Sequence, residues 1–123
     1  MKNPDVFSAA ASHSGIASLL YEGPHPFQPG QGRRATRHES WGMTYPAAFR
    51  DHMRRVFGPD LDGWRAHDPA VLAEDLRPGS LALYLDCGTE DGFQLQDGAA
   101  HLSEILKERG VAHELFLVPG NHN

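Results

Sequence analysis

Two loops of this chain carry residues whose types suit proton-transfer chemistry. Asp86-Cys87-Gly88-Thr89-Glu90-Asp91 follows the apolar run Leu81-Ala82-Leu83-Tyr84-Leu85, and Pro119-Gly120-Asn121-His122 follows Glu114-Leu115-Phe116-Leu117-Val118. An acid and a histidine thus each stand at the carboxyl end of an expected strand. A carboxylate that accepts a hydrogen bond from one imidazole nitrogen fixes the tautomer, which frees the other nitrogen to take a proton from a nucleophile. His122, two residues past a Pro-Gly turn, is placed to be that general base. With eight histidines in the chain, a loop histidine alone means little; the acidic loop at the same sheet edge makes this one a candidate.

Three acids compete to orient it. Asp86 stands at the strand end, where an aspartate before glycine commonly accepts backbone N–H groups of the following turn. Asp91 lies further out, and a loop position gives its carboxylate more reach. That favours Asp91 over Asp86, with Glu90 third, while Asp97 is explained as a helix cap.

A nucleophile is harder to place. Hydroxyl nucleophiles of α/β enzymes sit in Gly-x-Ser-x-Gly, a tight strand-to-helix turn, and no segment here fits that pattern. Ser12-His13-Ser14-Gly15 lacks the first glycine and runs into a loop. Cys87 directly continues an apolar strand, where a small cysteine packs inertly. The histidines show neither HxH nor HExxH spacing and have no cysteine pair beside them, so no metal site is expected. Gly30-Gln31-Gly32 lies in a proline-rich stretch and reads as a flexible turn rather than a phosphate loop.

The elements that must position these loops follow from periodicity. Residues 6–12 read as a first strand and residues 81–85 and 114–118 as two more, the first two of the kind buried on both faces. Residues 23–32 are a loop. Phe49, Met53, Val56 and Phe57 recur at helical spacing after Pro46 and stop at Gly58, so this is an amphipathic helix with a basic outer face. Asp68 caps a short helix carrying Val71, Leu72 and Leu76. Asp97 opens another, with Ala99, Leu102, Ile105 and Leu106, that ends at Gly110. Strand, helix, strand with short connections is a parallel βαβ unit with a right-handed crossover. Ligands of open parallel sheets gather outside the carboxyl ends of the strands, so residues 12–15, 86–93 and 119–123 form the expected site.

The 123 residues amount to one domain, and a formal net charge of −5 without a basic stripe speaks against nucleic acid. Arg33, Arg34, Arg37 and Arg50, Arg54, Arg55 read as solvated clusters. A single cysteine favours a reducing, cytoplasmic setting, and no apolar run is long enough to span a bilayer.

Residues 1–15, the stretch Asp86-Cys87-Gly88-Thr89-Glu90-Asp91-Gly92-Phe93 and the closing Pro119-Gly120-Asn121-His122 resemble the C-terminal half of the Putative esterase family. These are α/β-hydrolases akin to tributyrin esterases and S-formylglutathione hydrolase. The resemblance runs the length of the chain and is weakest between the end motifs. It implies the C-terminal portion of an α/β-hydrolase fold, with about three parallel strands, flanking helices and a cap-like insertion over residues 15–68 within a partial domain of residues 1–123. Residues 2–7 would then leave the helix after the nucleophile turn, and residues 6–12 would be the sixth of eight strands. The implied catalytic acid is Asp91 and the implied base His122, in the chain order serine, acid, histidine. Trp41, Phe49 and Trp64 of the insertion could line an acyl or alcohol pocket.

The serine turn and the loop that supplies the oxyanion hole have no counterpart here. The resemblance therefore implies a fragment of a serine carboxylesterase or thioesterase, with Met1 an internal methionine, inactive alone and needing no cofactor. The intact parent would take a small ester or thioester. A free edge on the first strand invites dimerisation. Competing expectations are a non-catalytic binding module, half of a split enzyme, and a miniature cysteine hydrolase using Cys87.

Overall fold

A computed structural model describes residues 1–3, 5–37 and 46–122. Its central element is a parallel sheet of three strands, β1 (Ala9–His13), β4 (Ala82–Gly88) and β5 (His113–Val118), in the order β1-β4-β5. Between the first two lie the small antiparallel pair β2 (Tyr21–Glu22) and β3 (Arg33–Arg34) and three helices, α1 (Ala47–Phe57), α2 (Leu61–Arg65) and α3 (Pro69–Ala73). Helix α4 (Leu95–Glu108) links β4 to β5 and completes the βαβ unit.

The expected first strand is shifted. Its hydrogen-bonded part begins at Ala9, while Val6 and Phe7 sit in a turn held by their N–H groups on the Asn3 carbonyl and remain 69% and 59% exposed. Burial on both faces is also corrected. Along β4, Leu83, Leu85 and Cys87 are buried and alternate with Ala82, Tyr84 and Asp86, which are not. Among the described residues the helical core of α3 and α4 packs on the Leu83 and Leu85 side of β4. There Leu81, Leu83 and Leu85 join Ala73 and Leu76 near α3 and Ala99, Leu102 and Leu106 of α4 in one core. Each such leucine stabilises the fold by roughly 1.5–3 kcal/mol on full burial. On the other face Tyr84 stacks on Phe116 with ring centroids 5.5 Å apart, and Phe116 and Val118 are about half exposed.

Helix α4 starts at Leu95, two residues before the expected cap. Gln94 precedes it in the left-handed conformation, so Asp97 lies in the first turn and does another job. Its Oδ1 accepts the Phe27 N–H at 2.8 Å and its Oδ2 lies 2.6 Å from His25 Nδ1, which fastens the proline-rich loop of residues 23–32 onto the helix. The helix ends as expected. Gly110 takes φ +67°, and the N–H groups of Gly110 and Val111 return to the carbonyls of Lys107 and Leu106, a Schellman arrangement that a β-carbon would disfavour.

Asp68 caps α3 through the Ala70 N–H at 2.9 Å, and its other oxygen accepts the Leu20 N–H at 2.8 Å. One buried carboxyl thereby ties the segment after β1 to the end of the long connection. A second core forms within that connection around Leu19, Leu20, Ala35, Met53 and Trp64. Trp64 is wholly buried there, with its indole N–H on the Gly58 carbonyl and its ring 5.1 Å from Phe57. It is a core residue, not a pocket wall. On α1, Met53 is buried but Val56 is 58% exposed, so the apolar stripe is narrower than its spacing implies. The arginines at β3 are neutralised locally by Glu22 on Arg33 and Glu74 on Arg34.

Candidate active site

The acid and histidine loops are joined before any side chain is considered. The Thr89 N–H donates to the Val118 carbonyl at 2.9 Å and the Glu90 N–H to the Gly120 carbonyl at 2.8 Å, extending the β4–β5 pairing past the strand ends. Gly88 makes this approach possible. A β-carbon there would collide with the Gly120 carbonyl oxygen and stand 2.8 Å from that of Asn121. Asn121 adds a side-chain bridge, its Oδ1 accepting N–H groups of Gly92 at 3.2 Å and His122 at 2.7 Å.

These loops bring Asp91 and His122 together. Asp91 Oδ2 lies 2.8 Å from His122 Nδ1; the Asp91 side chain is fully buried, whereas that of His122 is 38% exposed. A carboxylate offers only acceptors, so in the neutral imidazole the proton sits on Nδ1 and Nε2 is left as the acceptor. The other carboxylate oxygen accepts the Phe93 N–H at 2.7 Å, and the edge-on ring of Phe93 lies 5.0 Å from the imidazole. Both partners are therefore held in orientation from two sides.

Cys87 faces the acid, not the histidine. Its thiol donates to Asp91 Oδ2 at 3.5 Å and is 2% exposed. Burial foremost, and then the Asp91 carboxylate, pushes the thiol pKa up to about 11. A thiolate nucleophile is thus opposed by its surroundings.

Beside His122 opens a pocket of about 530 Å³ lined by Ser14, Gly15, Ile16, Pro46, Phe49, Phe93, Leu95 and His122. Phe49 stands where the pocket was expected, Trp64 does not, and Trp41 lies outside the described residues. Ser14 shares the pocket but no helix follows it, so the strand-turn-helix setting of a serine nucleophile is not met.

Two further aspartate–histidine pairs went unforeseen. Asp86 does not bond the following turn; its Oδ2 lies 2.6 Å from Nδ1 of His13 on the neighbouring strand. The register aligns His13 with Asp86, a pairing the sequence reading could not reach with a first strand that stopped at residue 12. The other is His25 with Asp97. An aspartate–histidine contact is therefore common in this fold, and His25–Asp97 shares the buried acid and the part-exposed histidine; what sets Asp91–His122 apart is the pocket beside its histidine. Among the described residues no group of three or more metal-ligating side chains gathers, and no helix is long and apolar enough to cross a membrane.

The sequence profile of the family described as Putative esterase matches residues 1–122. The chain belongs to that family. No curated protein matches the sequence. Among solved structures, a ferulic acid esterase is similar at 20% identity and a TM-score of 0.48, over 99% of this chain and 38% of that one. The chain thus spans well under half the length of that esterase. Membership makes the relationship to ester hydrolases a property of the whole chain, including the connection where the sequence resemblance was weakest.

Proposed function

We propose that this chain supplies the acid and the general base of an ester-hydrolysing site, Asp91 and His122. The observation that supports this most is the 2.8 Å contact from a buried carboxylate oxygen to an imidazole whose other nitrogen is free beside a pocket. The nucleophile and the oxyanion donors come from polypeptide beyond these residues. In the proposed reaction His122 Nε2 takes the proton of a serine hydroxyl as that oxygen attacks the ester carbonyl. The imidazolium, stabilised by Asp91, then returns the proton to the leaving alcohol or thiol. Water enters by the same base and releases the acid. Ile16, Phe49, Phe93 and Leu95 seat the apolar part of a small neutral ester or thioester.

On this reading the isolated chain has negligible activity, because the attacking serine and the paired donors of an oxyanion hole are supplied by other polypeptide. Hydrolysis of p-nitrophenyl acetate by the purified 123 residues, compared with a polypeptide that continues the reading frame upstream, tests it. Enzyme-like turnover by the short chain would defeat the proposal.

A further inference from the structure

Ser14 follows the last residue of β1 at φ +48°, in the left-handed region where a β-carbon is unfavourable. A glycine stands next to it, yet the left-handed conformation falls on the serine. Its N–H donates to the Asp86 carbonyl at 2.9 Å, which pins the backbone in place. Conformations of this kind persist where the surroundings enforce them and cluster at functional sites.

The pocket gives the conformation a purpose. Of the described residues that line it, only Ser14 and His122 carry polar side chains. A neutral ester entering an apolar pocket takes its oxygen away from water and needs a donor there. His122 Nε2 is an acceptor in the tautomer set by Asp91, so the imidazole cannot supply one. The Ser14 hydroxyl can.

We propose that Ser14 is a substrate-contacting residue whose hydroxyl donates a hydrogen bond to an oxygen of a neutral ester held over His122. This rests on the reading of the pocket as the substrate site. It assigns Ser14 recognition, with nucleophilic attack left to another group.

Two probes separate the claims, both titrated into the purified chain and followed by NMR shifts of His122 and Phe93. Acetanilide keeps an aryl ring and a carbonyl oxygen but resists hydrolysis, and benzene keeps only the ring. Wild type binds both. Ser14→Gly raises the thermal midpoint by relieving the backbone, yet weakens acetanilide about five- to tenfold, the loss of one hydrogen bond, with benzene unchanged. Ser14→Ala weakens acetanilide equally without the gain in stability. Acetanilide binding that survives both substitutions, or a loss shared equally by benzene, overturns the role of Ser14 alone. Failure of wild type to bind either probe overturns the pocket reading and the Ser14 proposal together.

Discussion

Asp91 and His122 meet across two loops that leave adjacent parallel strands, and the carboxylate that orients the imidazole is fully buried while the imidazole is not. The burial belongs to the acid and the access to the base. That asymmetry separates this pair from His13–Asp86, where the histidine side chain is 72% exposed and the acid partly so.

The closeness of the loops depends on Gly88 and Asn121. Gly88→Ala forces the backbone of residues 120 and 121 outward, because the new methyl meets main-chain atoms that cannot rotate away. Asn121→Ala removes the acceptor shared by Gly92 and His122. Both are expected to cost roughly 1–3 kcal/mol of stability and to accelerate amide exchange at Glu90 and Gly92. Asn121→Asp, which keeps an acceptor, should retain the protection.

Cys87 should be inert. With its thiol pKa pushed up to about 11 and its sulfur buried, iodoacetamide at neutral pH should modify the unfolded chain and spare the folded one. The same shift predicts stability that falls as pH climbs from the ordinary thiol pKa toward 11, since the unfolded thiol ionises first. Cys87→Ala removes that dependence. Rapid alkylation of the folded protein would show that the thiol is reached and ionised.

Much of this was legible in the sequence, and the misses share a cause. The approach of Asp91 to His122 was readable because each follows an apolar run and strand ends in a parallel sheet share an edge. Asp68 was readable because Asp-Pro before an apolar pattern is a local helix start. Asp97 looked equally local, but its carboxylate bonds His25 and the Phe27 N–H, some seventy residues away. Trp64 was expected in a pocket because aromatic type says nothing about direction; the five-residue helix α2 places it in a core instead. Burial of β1 and β4 on both faces was inferred from composition, and only packing decides which faces are covered.

Asp68 is the firmest stability test. Asp68→Ala leaves the buried N–H groups of Leu20 and Ala70 without their acceptor and should cost roughly 2–4 kcal/mol in urea unfolding. Burial foremost raises the carboxyl pKa, against the pull of those N–H bonds. The protonated form is thus relatively favoured by folding. Its contribution is fully present below the unfolded value, near 3.9, and is lost as pH rises through the raised folded value. Wild type should gain stability relative to Asp68→Asn as pH falls from 7 toward 4.

The bare face of the sheet carries its own expectation. Among the described residues β1 is an edge strand of Ala9-Ala10-Ala11-Ser12-His13 with no charged side chain but a titratable histidine, and Phe116 and Val118 are exposed on the sheet. Such an edge pairs readily with another chain. Sedimentation velocity should show association that rises with concentration and weakens in Ala11→Lys and in Phe116→Ser. A monomer at all concentrations would set that expectation aside.

The most direct test of the central proposal is p-nitrophenyl acetate hydrolysis by a polypeptide that extends the reading frame upstream, as wild type, Asp91→Asn and His122→Ala. The account predicts turnover in wild type and a loss of roughly 10³–10⁴-fold in both variants, with folding retained by circular dichroism. Turnover that survives His122→Ala would contradict it.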